Sequence, residues 1–311
     1  MREGALFSRS LKGSVASLGE ARLIGRIRTW LGSSCPASPG GIGDDCAVVR
    51  PARGRELLTV DPVIHGIHFD GRVPAADVGA KLLRRNLSDI AAMGGAPRAA
   101  LVALALDRRV SVAWLEAFYR GLAREARRHR VSVVGGDVAF LAGSFAATLA
   151  LTGEARGRAL TRSGARIGDW IYVTGQLGRS LPTGHHHRFR PRLAEGAWLA
   201  RRPCVRSMMD VSDGLAKDLP ALAPRGASAA VYGALLPLRD GASVVEALCD
   251  GEDYELAACV SRGTRRREFE ASWRRAFPAT ALTCIGRFVR RGEEPPDALD
   301  LGGLRGYEHL R

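Results

Sequence analysis

A chain of 311 residues with 46% hydrophobic residues can bury the core of one large or two medium α/β domains, which excludes a disordered or fibrous protein. Charged residues or glycines interrupt every apolar stretch before it reaches the roughly 18 residues that would cross a bilayer, so no membrane association is expected. The net charge of +14 raises the question of nucleic-acid binding, but only three of the 46 basic residues are lysines and the arginines spread along the whole chain, as in a GC-rich coding bias.

The cysteines and the amino-terminal end indicate the cellular setting. The six cysteines are scattered and form no C-x-x-C pair, which favours a reduced, cytoplasmic protein. Residues 1–18 contain Ser and Arg but lack the apolar core of a secretory signal. The sequence leaves open a disordered segment or extension, a misassigned start and a transit peptide.

The first half of the chain alternates helix and strand patterns. Apolar residues at helical spacing predict a helix over 20–31, and Ser, Pro and Gly predict a loop over 33–43. A strand over 56–60 is expected to end at Asp61-Pro62, and a helix over 77–93 is expected to stop at Gly94-Gly95. A strand over 100–106 and a helix capped by Ser111 follow.

Further strands are predicted over 131–134, 145–152 and 170–174. A polar passage rich in Arg and Gly over 153–168 suggests a domain boundary. The predicted fold class is α/β (α+β), with a first domain over 19–155 and a second over 156–311, each a mixture of strands and helices.

Two patterns could be mistaken for binding motifs. In the Arg-rich stretch 262–275, Phe269 and Trp273 stand at helical spacing, which is more typical of a core stripe than of a base-stacking platform. The three adjacent side chains of residues 185–187 cannot all face one ion, so a loop is predicted instead of a metal site.

Aspartates recur beside Gly, Ser or Asn at the ends of predicted elements: Asp44, Asp45, Asp61, Asp89, Asp137, Asp210 and Asp213. Each alone is explained by a turn or a helix cap. Together they provide the oxygen ligands that Mg²⁺ and nucleotide phosphates require. The chain lacks a Walker lysine motif, a G-x-G-x-x-G after a strand and a G-x-S-x-G elbow, so carboxylates and metal would have to take over phosphate binding.

At these residues the sequence resembles the thiamine-phosphate kinase family, part of the superfamily that includes aminoimidazole ribonucleotide synthetase. The resemblance covers nearly everything after Glu20. Its motifs occur in order at 41–47, 61–69, 86–94, 135–137, 160–165, 168–175, 212–215, 251–256 and 306–307.

The resemblance implies a homodimer in which the N-terminal sheets pair across the interface, and a C-terminal sheet packed with helices. It implies ATP-dependent phosphorylation of thiamine monophosphate to thiamine diphosphate by direct in-line transfer with Mg²⁺, without a phosphoenzyme. The partners would be ATP, the small-molecule acceptor and a second copy of the chain, with no nucleic acid.

The resemblance also assigns residues to roles. The implied metal ligands are Asp45, Thr59, Asp61, Asp89, Asp137, Asp210 and Asp213, with Asp44 as a further candidate. The implied ATP contacts are Asp45, Gly136, Asp137, Arg162 and Ser212. The implied substrate contacts are His68, Glu252 and Tyr307. Asp213, Asp137 and Arg162 would carry catalysis.

Two of the chain's departures from the family leave alternatives open. The usual Ser-Thr-Asp-Thr strand reads Thr59-Val60-Asp61-Pro62, with one hydroxyl ligand fewer, and the segment 178–209 is shorter than usual. One alternative is a sister ATP-dependent enzyme acting on another small phosphate or carboxylate acceptor. The other is a non-catalytic protein that binds nucleotides or RNA, which only the net charge favours.

Overall fold

The computed structural model describes residues 5–308 and divides into two units. Unit 1 comprises the described residues up to Leu87 together with Ala96–Glu154. Unit 2 comprises Ser88–Gly95 and the described residues from Ala155 onward. Unit 2 therefore takes a short piece from the first half of the sequence, which a single boundary near residue 155 does not include.

The predicted disordered segment or extension at 1–18 is described only from residue 5. There Phe7 and Ser14 form backbone bridges with Val110 and Ser111, respectively. Residues 1–4 and 309–311 lie outside the described residues.

The α-helices are α1 (Glu20–Leu31), α2 (Ala75–Ala92), α3 (Val112–His129), α4 (His185–Arg188), α5 (Leu193–Ala200), α6 (Leu215–Asp218), α7 (Val244–Cys249) and α8 (Arg266–Ala276). The strands are β1 (Arg55–Ile64), β2 (Ala96–Leu106), β3 (Ser132–Phe140), β4 (Phe145–Ala155), β5 (Trp170–Thr174), β6 (Val205–Val211), β7 (Ala227–Val231), β8 (Glu255–Val260) and β9 (Leu282–Arg290). Short 3-10 helices span Leu11–Gly13, Val15–Ser17, Gly32–Ser34, Leu219–Leu222 and Gly233–Leu235.

Unit 1 is built on a four-stranded sheet in the order β1-β4-β2-β3, in which β2 runs parallel to β3 and antiparallel to β4. Helix α3 packs on this sheet through Trp114 and Phe118, whose rings lie 4.9 and 5.5 Å from the ring of Phe145 on β4. Aromatic pairs at such distances stabilise a core beyond the area that they bury. The sheet therefore has one face covered by a helix.

Unit 2 is built on a five-stranded sheet in the order β6-β8-β5-β9-β7. Side chains alternate between its two faces, so that Ile171 and Val173 on β5 join one apolar cluster and Tyr172 joins the other. The first cluster includes residues of α6 and α7, and the second includes residues of α5 and α8. The predicted helix-packed C-terminal sheet is confirmed.

Several predicted elements match the structure closely. The helix over Glu20–Leu31 and the strand over Trp170–Thr174 have the predicted bounds. Ser111 caps α3, because its side chain accepts a hydrogen bond from the Trp114 amide. Phe269 and Trp273 are buried in the core, as their spacing indicates. Between residues 5 and 308, no helix combines the length and the apolar character that a membrane span needs.

Three local predictions are wrong. Strand β1 continues through Asp61-Pro62 to Ile64, because β1 is an edge strand, where a proline without an N–H is tolerated. Strand β3 continues through Gly135-Gly136 to Phe140, because this stretch pairs with β2. Residues 185–187 form the helical turn α4 and not a loop.

Candidate active site

In unit 1, Thr59 and Asp61 lie on the same face of β1, and both are half-buried. The Asp61 carboxylate accepts a hydrogen bond from Arg85 Nη2 at 3.2 Å, while Arg85 Nη1 donates to the carbonyl oxygen of Pro62 at 2.8 Å. A guanidinium on α2 thus fixes both the side chain of Asp61 and the strand that carries it. Val60 points to the opposite face and is exposed.

Gly136 and Asp137 lie together on β3, opposite Val102 and Ala103 of β2. A methyl group at Gly136 would lie 1.9 Å from the carbonyl oxygen of Val102, so only glycine fits at this position. Asp137 is exposed beside it. The close approach of the two strands leaves an exposed carboxylate next to bare backbone, an arrangement that suits a phosphate with its counterion.

Asp44 and Asp45 are exposed on the loop that precedes β1, where the Ser38 hydroxyl donates a hydrogen bond to Asp44. His68 is buried, and its Nδ1 accepts a hydrogen bond from the Ile64 amide at 3.1 Å. The Lys81 ammonium donates to the carbonyl oxygen of His68 at 2.7 Å, and Lys81 is 0% exposed. Sequence reasoning did not single out this buried lysine, although its neighbours on α2 are apolar.

In unit 2, the end of α2 meets strand β6. Ser88 Oγ donates a hydrogen bond to Asp210 Oδ2 at 2.7 Å, and both residues are buried. Asp89 follows directly and is half-buried. The segment that carries Arg162 runs beside the same strand, since the Met208 amide donates to the Thr161 carbonyl at 3.0 Å. The Arg162 side chain is exposed.

The turn after β6 holds Ser212 and Asp213 by their backbone. Their two amides donate to the same carboxylate oxygen of Asp218, each at 2.9 Å. Burial, together with the charges of Asp210 and Asp213, raises the pKa of the Asp218 carboxyl to about 7, although the two amide hydrogen bonds lower it. The turn is therefore a region of concentrated negative charge. Lys217 Nζ lies 2.7 Å from Asp213 Oδ2 and offsets part of it.

The expected substrate residues of unit 2 are joined to this turn. The Glu252 amide donates to the Ser212 carbonyl at 2.7 Å, and the Tyr307 amide donates to the Asp213 carbonyl at 2.8 Å. Lys217 Nζ also donates to the Tyr307 carbonyl at 2.5 Å. Four residues that the sequence assigned to ATP, metal and substrate are thus brought together by backbone hydrogen bonds within one unit.

The carboxylates of the candidate site fit magnesium that is carried by a nucleotide better than a metal that the protein holds alone. In the described part of the chain, no three His, Cys, Asp or Glu side chains are gathered tightly enough to hold an ion. Mg²⁺ is usually bound by one or two carboxylates together with substrate phosphates and water. Burial first, and then the charges of Asp210 and Asp213, raise the pKa of the neighbouring Asp218 carboxyl, and a cation beside these carboxylates would offset their repulsion.

Other residues that support the site were not predicted. Asp218 and Lys217 lie on α6 and bind the Ser212–Asp213 turn, while Asp253 is fully buried between Glu252 and Tyr254. Asp218 is the first acid after the Ser212–Gly214 motif and lies at a helical interval from it, which is a signal that could have indicated its role.

Comparison with known proteins identifies the family. Residues 43–158 match the family described as AIR synthase related protein, N-terminal domain. The thiamine-monophosphate kinase of Escherichia coli strain K12 is 36% identical over 94% of this chain and 98% of its own length. The crystal structure of thiamine-monophosphate kinase from Stenotrophomonas maltophilia K279a is 31% identical, with a TM-score of 0.72, over 88% of this chain and 95% of that one.

A second solved structure, AaThiL complexed with AMPPCP and TMP, is 28% identical with a TM-score of 0.69. The match covers 94% of this chain and 98% of that chain. Sequence and structure therefore agree over almost the full length of both, and the chain belongs to the thiamine-monophosphate kinase family.

Proposed function

We propose that this chain transfers the γ-phosphoryl group of ATP to thiamine monophosphate and releases thiamine diphosphate and ADP. The observation that carries the proposal is the Ser212–Asp213 turn, whose two carbonyl oxygens accept hydrogen bonds from the backbone of Glu252 and Tyr307. Residues expected to contact ATP and residues expected to contact the acceptor are thus held in one arrangement. The complex of AaThiL with AMPPCP and TMP supports ATP as co-substrate and thiamine monophosphate as acceptor.

The acceptor needs no general base. A phosphate monoester with a second pKa near 6 is mostly dianionic at neutral pH and is already a nucleophile. The protein has to bring two anionic groups together and align them for in-line transfer. Arg162, exposed on unit 2, would place positive charge on the transferred group, while His68, Glu252 and Tyr307 would hold the thiamine phosphate.

The carboxylates would serve to hold Mg²⁺ with the nucleotide. In unit 1 the candidates are Asp45, Thr59, Asp61 and Asp137, and in unit 2 they are Asp89, Asp210 and Asp213. When bound, Mg²⁺ neutralises charge on the phosphate oxygens of ATP. The burial of Asp210 and its hydrogen bond from Ser88 would keep that carboxylate oriented.

A homodimer formed through the sheet of unit 1 is part of the proposal. The face of this sheet opposite α3 carries Leu58 and Val60 on β1 and Leu101 on β2, which are 76%, 62% and 48% exposed. Large apolar side chains exposed on one face of a sheet suit a surface that a second copy of the chain would cover. We expect Leu58→Glu to convert the dimer to a monomer in light scattering, whereas a mass of 33.3 kDa for the unaltered protein would contradict the dimer.

A reduced cytoplasmic setting completes the proposal. All six cysteines are free thiols, and Cys259 is buried, where burial raises the pKa of its thiol to about 12. Such a thiol is unreactive at neutral pH.

The test incubates the protein with thiamine monophosphate and MgATP and measures thiamine diphosphate by chromatography. An Asp213→Asn variant is assayed in the same way. The variant keeps the size of the side chain but loses its charge, so we expect a fall in rate of about 10²-fold or more. ATP binding without thiamine diphosphate formation by the unaltered protein would refute the assigned acceptor and favour the sister-enzyme alternative.

A further inference from the structure

The three consecutive histidines of unit 2 have no role in the proposed function so far. They begin helix α4, a single turn, and Phe189 follows directly after it. Three side chains of this segment contact the loop formed by residues 252–254, which includes the expected substrate residue Glu252.

Each of the three contacts reaches a different residue of the loop. His185 Nε2 lies 2.9 Å from the carbonyl oxygen of Asp253. His186 Nδ1 lies 3.4 Å from Glu252 Oε2. The ring of Phe189 stacks on that of Tyr254, with centroids 4.0 Å apart and planes inclined by 18°. His186 and Phe189 are buried, so these contacts are shielded from water.

The loop is held in a backbone conformation that it would not adopt alone. Glu252 and Tyr254 have φ values of 66° and 52°, in the left-handed region that side chains other than glycine rarely occupy. Between them the buried Asp253 carboxylate accepts hydrogen bonds from the Gly178 amide, the Ser180 hydroxyl and Arg239. Strain of this kind persists only where surrounding contacts determine the conformation, and such positions cluster at ligand-binding sites.

Each oxygen of the Glu252 carboxylate therefore faces a side chain that orients it. Oε2 faces His186, and Oε1 accepts a hydrogen bond from the Tyr254 hydroxyl at 3.4 Å. The side chain is 20% exposed, so it is accessible to a ligand while its rotamer is restricted. An oriented carboxylate suits a ligand that carries a cationic heterocycle, because the two charges attract at a fixed geometry.

We propose that His186 is a positioning residue that fixes the Glu252 carboxylate for the cationic heterocycle of the acceptor and so determines acceptor affinity without affecting ATP. This inference rests on the proposed function, since it assumes that the acceptor is a thiamine phosphate. His186 acts through Glu252 and takes no part in phosphoryl transfer.

The test compares His186→Phe, which keeps a ring but removes the nitrogen that faces Glu252, with His186→Asn, whose amide stands where Nδ1 was. We expect His186→Phe to raise KM for thiamine monophosphate about tenfold, as for the loss of one charged hydrogen bond, with kcat and KM for MgATP changed less than about twofold. His186→Asn is expected to stay within about threefold of the unaltered protein. His187→Phe, at the adjacent position, is the matched control and should leave all three constants unchanged.

A double-mutant cycle adds a readout that a merely structural role would not give. In a Glu252→Gln background, His186→Phe should change KM for thiamine monophosphate less than about twofold, because the partner that it orients is already altered. If His186→Phe does not fold, His186→Leu replaces it, since its side chain has no nitrogen to face Glu252, and the same tenfold rise is expected.

An unchanged KM for thiamine monophosphate, or an equal rise in KM for MgATP, would overturn the role of His186. These outcomes presuppose that the unaltered protein makes thiamine diphosphate. If it makes none, the proposed function fails and this inference fails with it, so the unaltered protein separates the two cases.

Discussion

The packing of α2 against α3 in unit 1 depends on Gly121 having no side chain. A methyl group at Gly121 would lie 1.8 Å from the carbonyl oxygen and 2.5 Å from the carbonyl carbon of Ala76. Gly79 has the reciprocal position, where a methyl group would lie 1.9 Å from the Phe118 carbonyl oxygen. Both obstacles are helix backbone, so Gly121→Ala must push the two helices apart by more than about 1 Å to reach ordinary contact.

The expected loss of stability follows from two opposing effects. Overpacking of a tight core costs about 1–3 kcal/mol, and a backbone-to-backbone contact belongs at the upper end of that range. Replacement of glycine by alanine inside a helix returns about 1 kcal/mol. Gly121→Ala should therefore destabilise the protein by about 2 kcal/mol, which lowers Tm by about 4–8 °C for a unit of this size. Because α2 carries Lys81, Ser88 and Asp89, activity should fall as well.

Thermal unfolding followed by circular dichroism tests this prediction, with Gly25→Ala as the matched control. Gly25 lies in the middle of α1 on its exposed face, and no atom lies within 4 Å of the added methyl group. The control should gain about 0.5–1 kcal/mol from helix propensity alone. Equal shifts of Tm in the two variants, or an unchanged Tm for Gly121→Ala, would refute the steric argument.

Two further predictions concern charged groups. Lys217→Met should lower about fivefold the Mg²⁺ concentration that half-saturates AMPPCP binding. The Lys217 ammonium lies 2.7 Å from Asp213 and competes with a cation for that carboxylate, which weakens Mg²⁺ binding by about 1 kcal/mol. Titration calorimetry measures this, and an unchanged or higher Mg²⁺ requirement would contradict it. Burial opposes ionisation of Glu125, but its contacts with His129 and Arg84 prevail and lower the pKa of its carboxyl to about 2. This folded pKa lies below the ordinary value, so the stabilisation, about 3 kcal/mol, is present above pH 4.5 and is lost as the pH falls toward 2. Urea unfolding of Glu125→Gln should show a flatter decline of the unfolding free energy between pH 5 and 2, and an unchanged decline would rule out this source of acid sensitivity.

Elements with strong local signals could be predicted from the sequence. The helix over Glu20–Leu31 shows its apolar face in the sequence, and Ser111 has the residue type that caps a helix. The sequence predicts the end of strand β1 too early, at Asp61-Pro62, because it does not reveal that the strand lies at a sheet edge. The turn at His185–Arg188 was missed because one helical turn has no periodicity to detect.

In the candidate site too, the sequence indicates residues that belong to local motifs and misses residues whose roles depend on distant contacts. Ser212, Asp213 and Glu252 could be selected because each belongs to a short motif, and the structure joins them by backbone hydrogen bonds. Asp253 and His186 could not, because their roles depend on residues more than 60 positions away in the chain: Gly178 binds Asp253 and His186 faces Glu252. Such contacts leave no local pattern in one sequence.

Direct phosphoryl transfer to the acceptor phosphate is tested by measuring thiamine diphosphate over time from MgATP with thiamine monophosphate, beside the same reaction with unphosphorylated thiamine. We expect thiamine diphosphate and ADP in equal amounts from thiamine monophosphate and no phosphorylated product from thiamine, because the acceptor phosphate is the nucleophile. Absence of thiamine diphosphate, or ATP consumption that does not depend on thiamine monophosphate, would contradict it.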